Sequence, residues 1–228
     1  MKILDDIKLD EYESEDIFDV VARLQKSFAL KFDKNAFNNV KTFGDMCDVI
    51  ESHIKYTDQD DCTKQQAFYK IRAAISETQL IDKAVIGLDT SLVDLFPRHT
   101  RRTQVKQFKK QLGVNIEFLT YPDWLSLTFI VGVLSSFVGF FFDWRIAVSG
   151  IAFFIVATKV AGILGKDLKF DTVKELTEKA VTEHYIEVRH SKLTVNKKEI
   201  MAIIIDAFSE GLSIDKEHLT KDAKFSWT

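Results

Sequence analysis

Few side chains in this 228-residue chain are spaced for chemistry. His184, Glu187 and His190 recur at the interval of a helical face, which suits metal ligation, but no further ligands complete a zinc site. Asp89-Thr90-Ser91 reads as a turn or a helix cap rather than a nucleophile. There is no glycine-rich phosphate loop, no nucleophile elbow and no paired-cysteine motif. Cys47 and Cys62 are the only cysteines. Too few and too far apart for a metal pair, they predict reduced thiols rather than a disulfide. The expectation is a protein without catalytic residues, metal or cofactor, and not an enzyme.

Charge offers binding instead. Residues 1–62 carry an excess of about seven negative charges. Glu13, Glu15, Asp16 and Asp19 crowd the start of a predicted helix, where negative charge complements the helix dipole. An acidic helix of this kind steers a protein partner with a basic surface. The opposite charge collects in residues 98–110, at Arg98, Arg101, Arg102, Lys106, Lys109 and Lys110. Nucleic acid is not expected there, since Phe108 is the one interleaved aromatic. Anionic lipid headgroups are, at about 1 kcal/mol for each cation.

That expectation comes from the neighbouring elements. The overall mean hydropathy of −0.04 averages charged flanks with two apolar runs, Trp124–Phe142 and Ile146–Leu164. Only Asp143-Trp144-Arg145 separates them. Each run has about the 20 residues of a membrane-spanning helix. So short a connection makes the helices antiparallel and places the polar arms, 1–123 and 165–228, in one compartment. Basic residues flank both ends, including Lys166 and Lys169, so both termini are expected in the cytoplasm. The expected localisation is multi-pass in the cytoplasmic (inner) membrane. Met1–Asp6 lacks a long apolar segment and predicts no cleavable signal peptide. Trp124 and Trp144 suit opposite interfaces, and Lys159 suits snorkelling to headgroups. Gly132, Gly139, Gly150 and Gly162 permit close packing of the two helices. A buried hairpin in a soluble core is the alternative, but the arms are small for wrapping two such helices. A pore is a third reading, against which the helices lack a polar stripe.

The arms read as helices. Ile17, Val20, Val21, Leu24 and Phe28 share one face of a helix over 14–28. Thr42 with Asp45 has capping-box spacing before Phe43, Met46, Val49 and Ile50. Thr63 with Gln66 is expected to cap a third helix, and residues 100–112 make a fourth. Thr172 begins a short helix. Asn196 with Glu199 caps one carrying Ile200, Ile203, Ile204, Ala207 and Phe208, with Gly211 as its stop. Tyr185–Leu193 fits a short strand or an extended linker.

The pieces echo across the hairpin. The segment from Thr42 resembles the segment from Thr172. Each precedes a helix about twenty residues on, from Thr63 and from Asn196, followed by Asp89-Thr-Ser-Leu92 and Asp222-Ala-Lys-Phe225. This pattern predicts an internal duplication interrupted by the hairpin. The arms resemble acyl carrier proteins, small acidic four-helix bundles in which a serine opening the second helix carries phosphopantetheine. Residues 13–54 resemble the second half of such a bundle, with Glu13–Val20 in place of the serine motif, Asn35–Val40 as a short third helix and Thr42–Ile54 as the fourth. Residues 64–95 and 196–225 resemble a first helix and its loop.

The resemblance implies an all-α fold: acyl-carrier-like four-helix bundles, duplicated and permuted, with a two-helix transmembrane hairpin. The divisions it implies are 1–62, 63–121, the hairpin 122–165, and 166–228 packing back on the N-terminal arm. It puts Ser14 at the attachment position and Thr100 at the equivalent place in the other copy. Ser14 lacks the motif's neighbours, and Thr100 lies in a basic loop, so both are expected to be unmodified, Ser14 serving as a helix N-cap. The function implied is a membrane-anchored interaction module on the cytoplasmic face, an inhibitor or immunity protein being one version. The alternative is a membrane-tethered carrier bearing phosphopantetheine on Ser14, serving lipid synthesis or tailoring.

Overall fold

The structure, a computed structural model, describes residues 9–141 and 143–227. The expectation for Met1–Asp6 and the end of the first apolar run at Phe142 lie outside the described residues. Helix makes up 63% of the described residues. Among the described residues the α-helices are α1 (Ser14–Ser27), α2 (Phe43–Ser52), α3 (Thr63–Gln79), α4 (Leu92–Leu95), α5 (Arg101–Leu112), α6 (Asp123–Ser136), α7 (Trp144–Leu164), α8 (Val173–Glu183), α9 (Tyr185–Val188) and α10 (Lys197–Leu212). The strands are two-residue clamps: β1 (Thr57–Asp58), β2 (Leu119–Thr120), β3 (Asp167–Leu168) and β4 (Thr194–Val195). The chain divides into two compact units. The first is Met1–Ala73, Leu112–Ile116 and Lys174–Thr228; the second is Ala74–Gln111 and Glu117–Val173.

In the first unit α1 packs on α10. Ile17, Val20, Val21 and Leu24 of α1 are buried, as are Ile200, Ile203, Ile204, Ala207 and Phe208 of α10. Removing each large side chain from water contributes roughly 1.5–3 kcal/mol. Phe43 of α2 meets Phe208 edge to face at 5.1 Å. The Thr42 capping box is present: the Thr42 hydroxyl accepts from Asp45 N, and the Asp45 carboxylate accepts from the N–H groups of Thr42 and Lys41. Those hydrogen bonds hold the Asp45 carboxyl below its ordinary pKa. Strand β1 pairs parallel with β4.

Several local expectations change. Gly211 lies inside α10, which runs on to Leu212 and is capped by Ser213 in the left-handed region, φ 53°. A Cβ at Gly211 would lie 2.6 Å from Val20 Cγ2, so this glycine lets α10 approach α1 rather than ending the helix. Tyr185–Val188 is a helical turn, not a strand, because all but Glu187 turn inward. Residues 34–39 form turns in place of a short third helix. Glu13, not Ser14, is the N-cap of α1, and no side chain closes the cap.

The second unit has an aromatic centre. Phe96, Phe108 and Phe118 are buried, with ring centroids 5.2–5.6 Å apart. Beside it, β2 and β3 pair antiparallel and join the two feet of the apolar hairpin. Gly165 is needed there, since a Cβ would lie 2.2 Å from the Thr120 carbonyl oxygen. The first hairpin helix is α6 continued by a 3-10 segment, Phe137–Phe141; the second is α7. Each spans about 31 Å from its rise per residue, against about 30 Å of bilayer hydrocarbon. Both are long and apolar enough to cross a membrane, with mean hydropathies of 1.9 and 2.1 and only 6% of each apolar window buried. A Cβ at Gly132 would enter the Phe154 ring, one at Gly139 would meet the Ala147 backbone, and one at Gly150 would meet Ser136. Gly162 differs: nothing lies within 4 Å of its Cβ position, so it is not a packing glycine.

One arrangement occurs in both units. In the first, Thr42 bridges Lys224, Phe43 N donates to Ala223 O, and Phe225 N donates to Lys41 O. In the second, Thr172 bridges Ser91, Val173 N donates to Thr90 O, and Leu92 N donates to Asp171 O. The preceding helix ends also match. Ser209 Oγ donates to Ile214 O beyond left-handed Ser213, as Ser76 Oγ donates to Ile81 O beyond left-handed Leu80. The paired residues keep a constant separation along the chain from Ser76 and Ser209 to Leu92 and Phe225.

Candidate functional site

Helix α1 presents two faces because its apolar residues recur at helical spacing. The buried stripe leaves Glu13, Glu15, Asp16 and Asp19 exposed on the other side. Ser14 is also exposed and is the first helical residue. Phe18, 40% exposed, sits among the acids, with Phe37 at 5.6 Å and Trp227 stacked at 6.0 Å. This aromatic patch depends on chain segments far apart, so no local pattern announced it.

The first unit also holds a buried polar network missed by sequence reasoning. Arg189 is 2% exposed and donates to Asp61, Thr63 and Thr194. The Thr63 hydroxyl donates to the Tyr185 phenol at 3.1 Å, which also accepts from Asn196 N at 2.9 Å. Burial raises the Tyr185 pKa despite these donors. Thr63 is therefore a buried network member rather than the expected cap of α3. Its partner Gln66 instead donates to Asp61. Buried charge without partners would be costly, and here one ion pair and several hydroxyls meet it.

The basic residues separate by role. Arg101 is buried, donating to Phe96 O and Lys166 O at 2.6 and 2.7 Å, so it holds backbone rather than facing headgroups. Arg98 pairs with Asp167 at 2.6 Å. Arg102 donates to Ile163 O in the last turn of α7. Arg102, Lys106 and Lys110 are exposed, and Lys109 is half-buried. Arg102, Lys106 and Lys109 line a cleft of about 580 Å³ with Glu117, Tyr121, Gly162 and Lys169. Trp124 and Trp144 are exposed at the starts of α6 and α7, and Lys159 is exposed within α7.

No family model, curated protein or solved structure matches this chain. Function therefore rests on the geometry. His184 Nδ1 lies 2.8 Å from the Glu187 carboxylate, while His190 is exposed. Among the described residues no group of three or more His, Cys, Asp or Glu could hold a metal ion. Cys47 is buried, which pushes its thiol up to about 12, and Cys62 is exposed. What the arrangement offers is an acidic and aromatic face on one unit and a basic cleft beside an apolar hairpin on the other.

Proposed function

We propose that the chain is a membrane-anchored, non-enzymatic interaction module whose polar units are acyl-carrier-like and lie on the cytoplasmic face. The hairpin supplies the anchor. The observation that carries this reading is the exposure of two membrane-length apolar helices whose feet are tied together by β2 and β3. Exposed apolar area on this scale is unfavourable in water. The matched hydrogen-bonded arrangements of the two units support a duplicated and permuted fold. Glu13, Glu15, Asp16 and Asp19, with Phe18 among them, form the surface for a basic protein partner, and an inhibitor or immunity role is one version of it.

A membrane-tethered carrier is the second reading. It is favoured by the exposed position of Ser14 as the first residue of α1. Phosphopantetheine on the Ser14 hydroxyl would supply a thiol for acyl thioesters. Glu13 and Glu15 on either side depart from the carrier motif and weigh against it.

One experiment separates the readings. The protein is captured from native membranes as wild type and as Glu15→Lys/Asp19→Lys, and its intact mass is measured in the same samples. The interaction reading expects an unmodified chain and a partner lost on charge reversal. A stoichiometric phosphopantetheine adduct absent from Ser14→Ala would replace it with the carrier reading.

A further inference from the structure

The cleft in the second unit joins two environments. On one side is the last turn of α7, with Gly162 and Ile163, and on another is β2, just before α6 begins. It therefore lies where the apolar hairpin gives way to charged residues. Arg102, Lys106, Lys109 and Lys169 face a single carboxylate, Glu117, which pairs with Lys169 at 2.5 Å. Positive charge is left in excess within a concave space of about 580 Å³. Ile163, 72% exposed, continues that space onto the bare surface of α7.

We propose that this cleft binds the phosphate headgroup of one anionic phospholipid, held by Arg102, Lys106 and Lys109, with its acyl chains along the exposed hairpin. The proposal rests on the membrane reading of α6 and α7. A soluble phosphate would satisfy the cations but would make no use of the apolar wall. A phospholipid uses both, because its charge and its chains are joined at the depth where the cleft sits. Burial lowers the Lys109 pKa; Glu117 opposes this and Lys169 adds to it. An anion between these side chains favours the charged form of each. Gly162 gives the site its opening toward the hairpin, since its Cβ position faces empty space.

That empty space supplies the test. Gly162→Phe projects a ring toward the cleft from a position where a Cβ meets nothing within 4 Å, and the last turn of α7 accepts the change from glycine. Lys106→Gln/Lys109→Gln removes charge, and Lys110→Gln, outside the cleft, is the control. The full chain is placed in nanodiscs of phosphatidylcholine alone or mixed with phosphatidylglycerol, and native mass spectrometry counts the lipids retained. One phosphatidylglycerol per chain is expected in wild type and Lys110→Gln, and none in Gly162→Phe. Affinity should fall roughly five-fold for each lysine removed. Inorganic phosphate, titrated into the detergent-solubilised protein, should not displace the lipid. Unchanged retention in Gly162→Phe would overturn the site, and displacement by inorganic phosphate would assign it to a soluble anion. Failure to enter either nanodisc would overturn the membrane reading itself and the proposal with it.

Discussion

Glu199, in the first turn of α10, accepts the backbone N–H of Thr63, the residue that opens α3, at 3.2 and 3.3 Å. The spacing of Asn196 and Glu199 suggested a closed capping box. Asn196 does cap, accepting from Lys198 N, but its own N–H goes to Tyr185. Glu199 is thereby released to satisfy an orphan donor of another helix. We expect Glu199→Ala to lower stability by about 1 kcal/mol, the cost of a lost cap. Glu199→Gln should retain most of it. Urea unfolding followed by circular dichroism measures both.

Ile204 is fully buried in the interface of α10 with α1. A carboxylate there would lack a partner, so Ile204→Asp should be strongly destabilising. Hydrogen exchange should quicken at residues 17–28 as well as at 197–212. Loss of protection confined to 197–212 would mean that the two helices fold independently.

Topology can be read from the native exposed thiol. On intact cells, a membrane-impermeant maleimide should label Asp143→Cys in a Cys62→Ser background. It should leave wild-type Cys62 unlabelled until the cells are opened. Labelling of Cys62 from outside would reverse the proposed orientation.

Leu80 ends α3 with φ 55° and is 91% exposed. A left-handed leucine costs roughly 1–2 kcal/mol, part of which glycine recovers against its greater chain entropy. Leu80→Gly should therefore raise the melting temperature slightly, by about 1 kcal/mol of added stability or less. A lower melting temperature would show that the leucine makes a contact worth more than the strain.

The depressed pKa of Asp45 fixes the sign of an acid effect. Its hydrogen-bonded carboxylate contributes stability above the pKa of the unfolded carboxyl and loses it as pH falls through the lower folded value. The stability difference between wild type and Asp45→Asn should therefore be present at neutral pH. It should disappear below the ordinary carboxylate range. A difference independent of pH would mean that charge is not what makes the cap.

The hairpin and the amphipathic helices were legible because single-residue hydropathy and helical spacing carry them. Ile17, Val20, Val21 and Leu24 needed no tertiary information, and the Thr42 box needed only local chemistry. Gly211 was misread because a glycine near a helix end looks the same whether it stops the helix or admits Val20. Arg101 was misread for a related reason: its charge suggested headgroups, while its neighbours Phe96 and Lys166 offered carbonyls. The Arg189 network joins Asp61, Thr63 and Tyr185 across more than a hundred residues of chain. No periodicity encodes such a meeting. The basic cleft was half legible: its cations stood out, but Gly162 and Tyr121 become lining only once the feet are paired.

The pairing of Phe43 with Ala223 sets a schedule for biosynthesis. At about 5–20 residues per second, a ribosome needs roughly 10–40 s to pass from one to the other. During that interval α1 and α2 have left the exit tunnel without α10, and their apolar stripes have no native cover. The two membrane-length helices, α6 and α7, are made within the same interval, before the first unit is able to close. If the hairpin is the anchor proposed above, maturation of that unit follows membrane delivery, and a nascent chain stalled before α10 would present sticky, chaperone-dependent helices at the membrane surface.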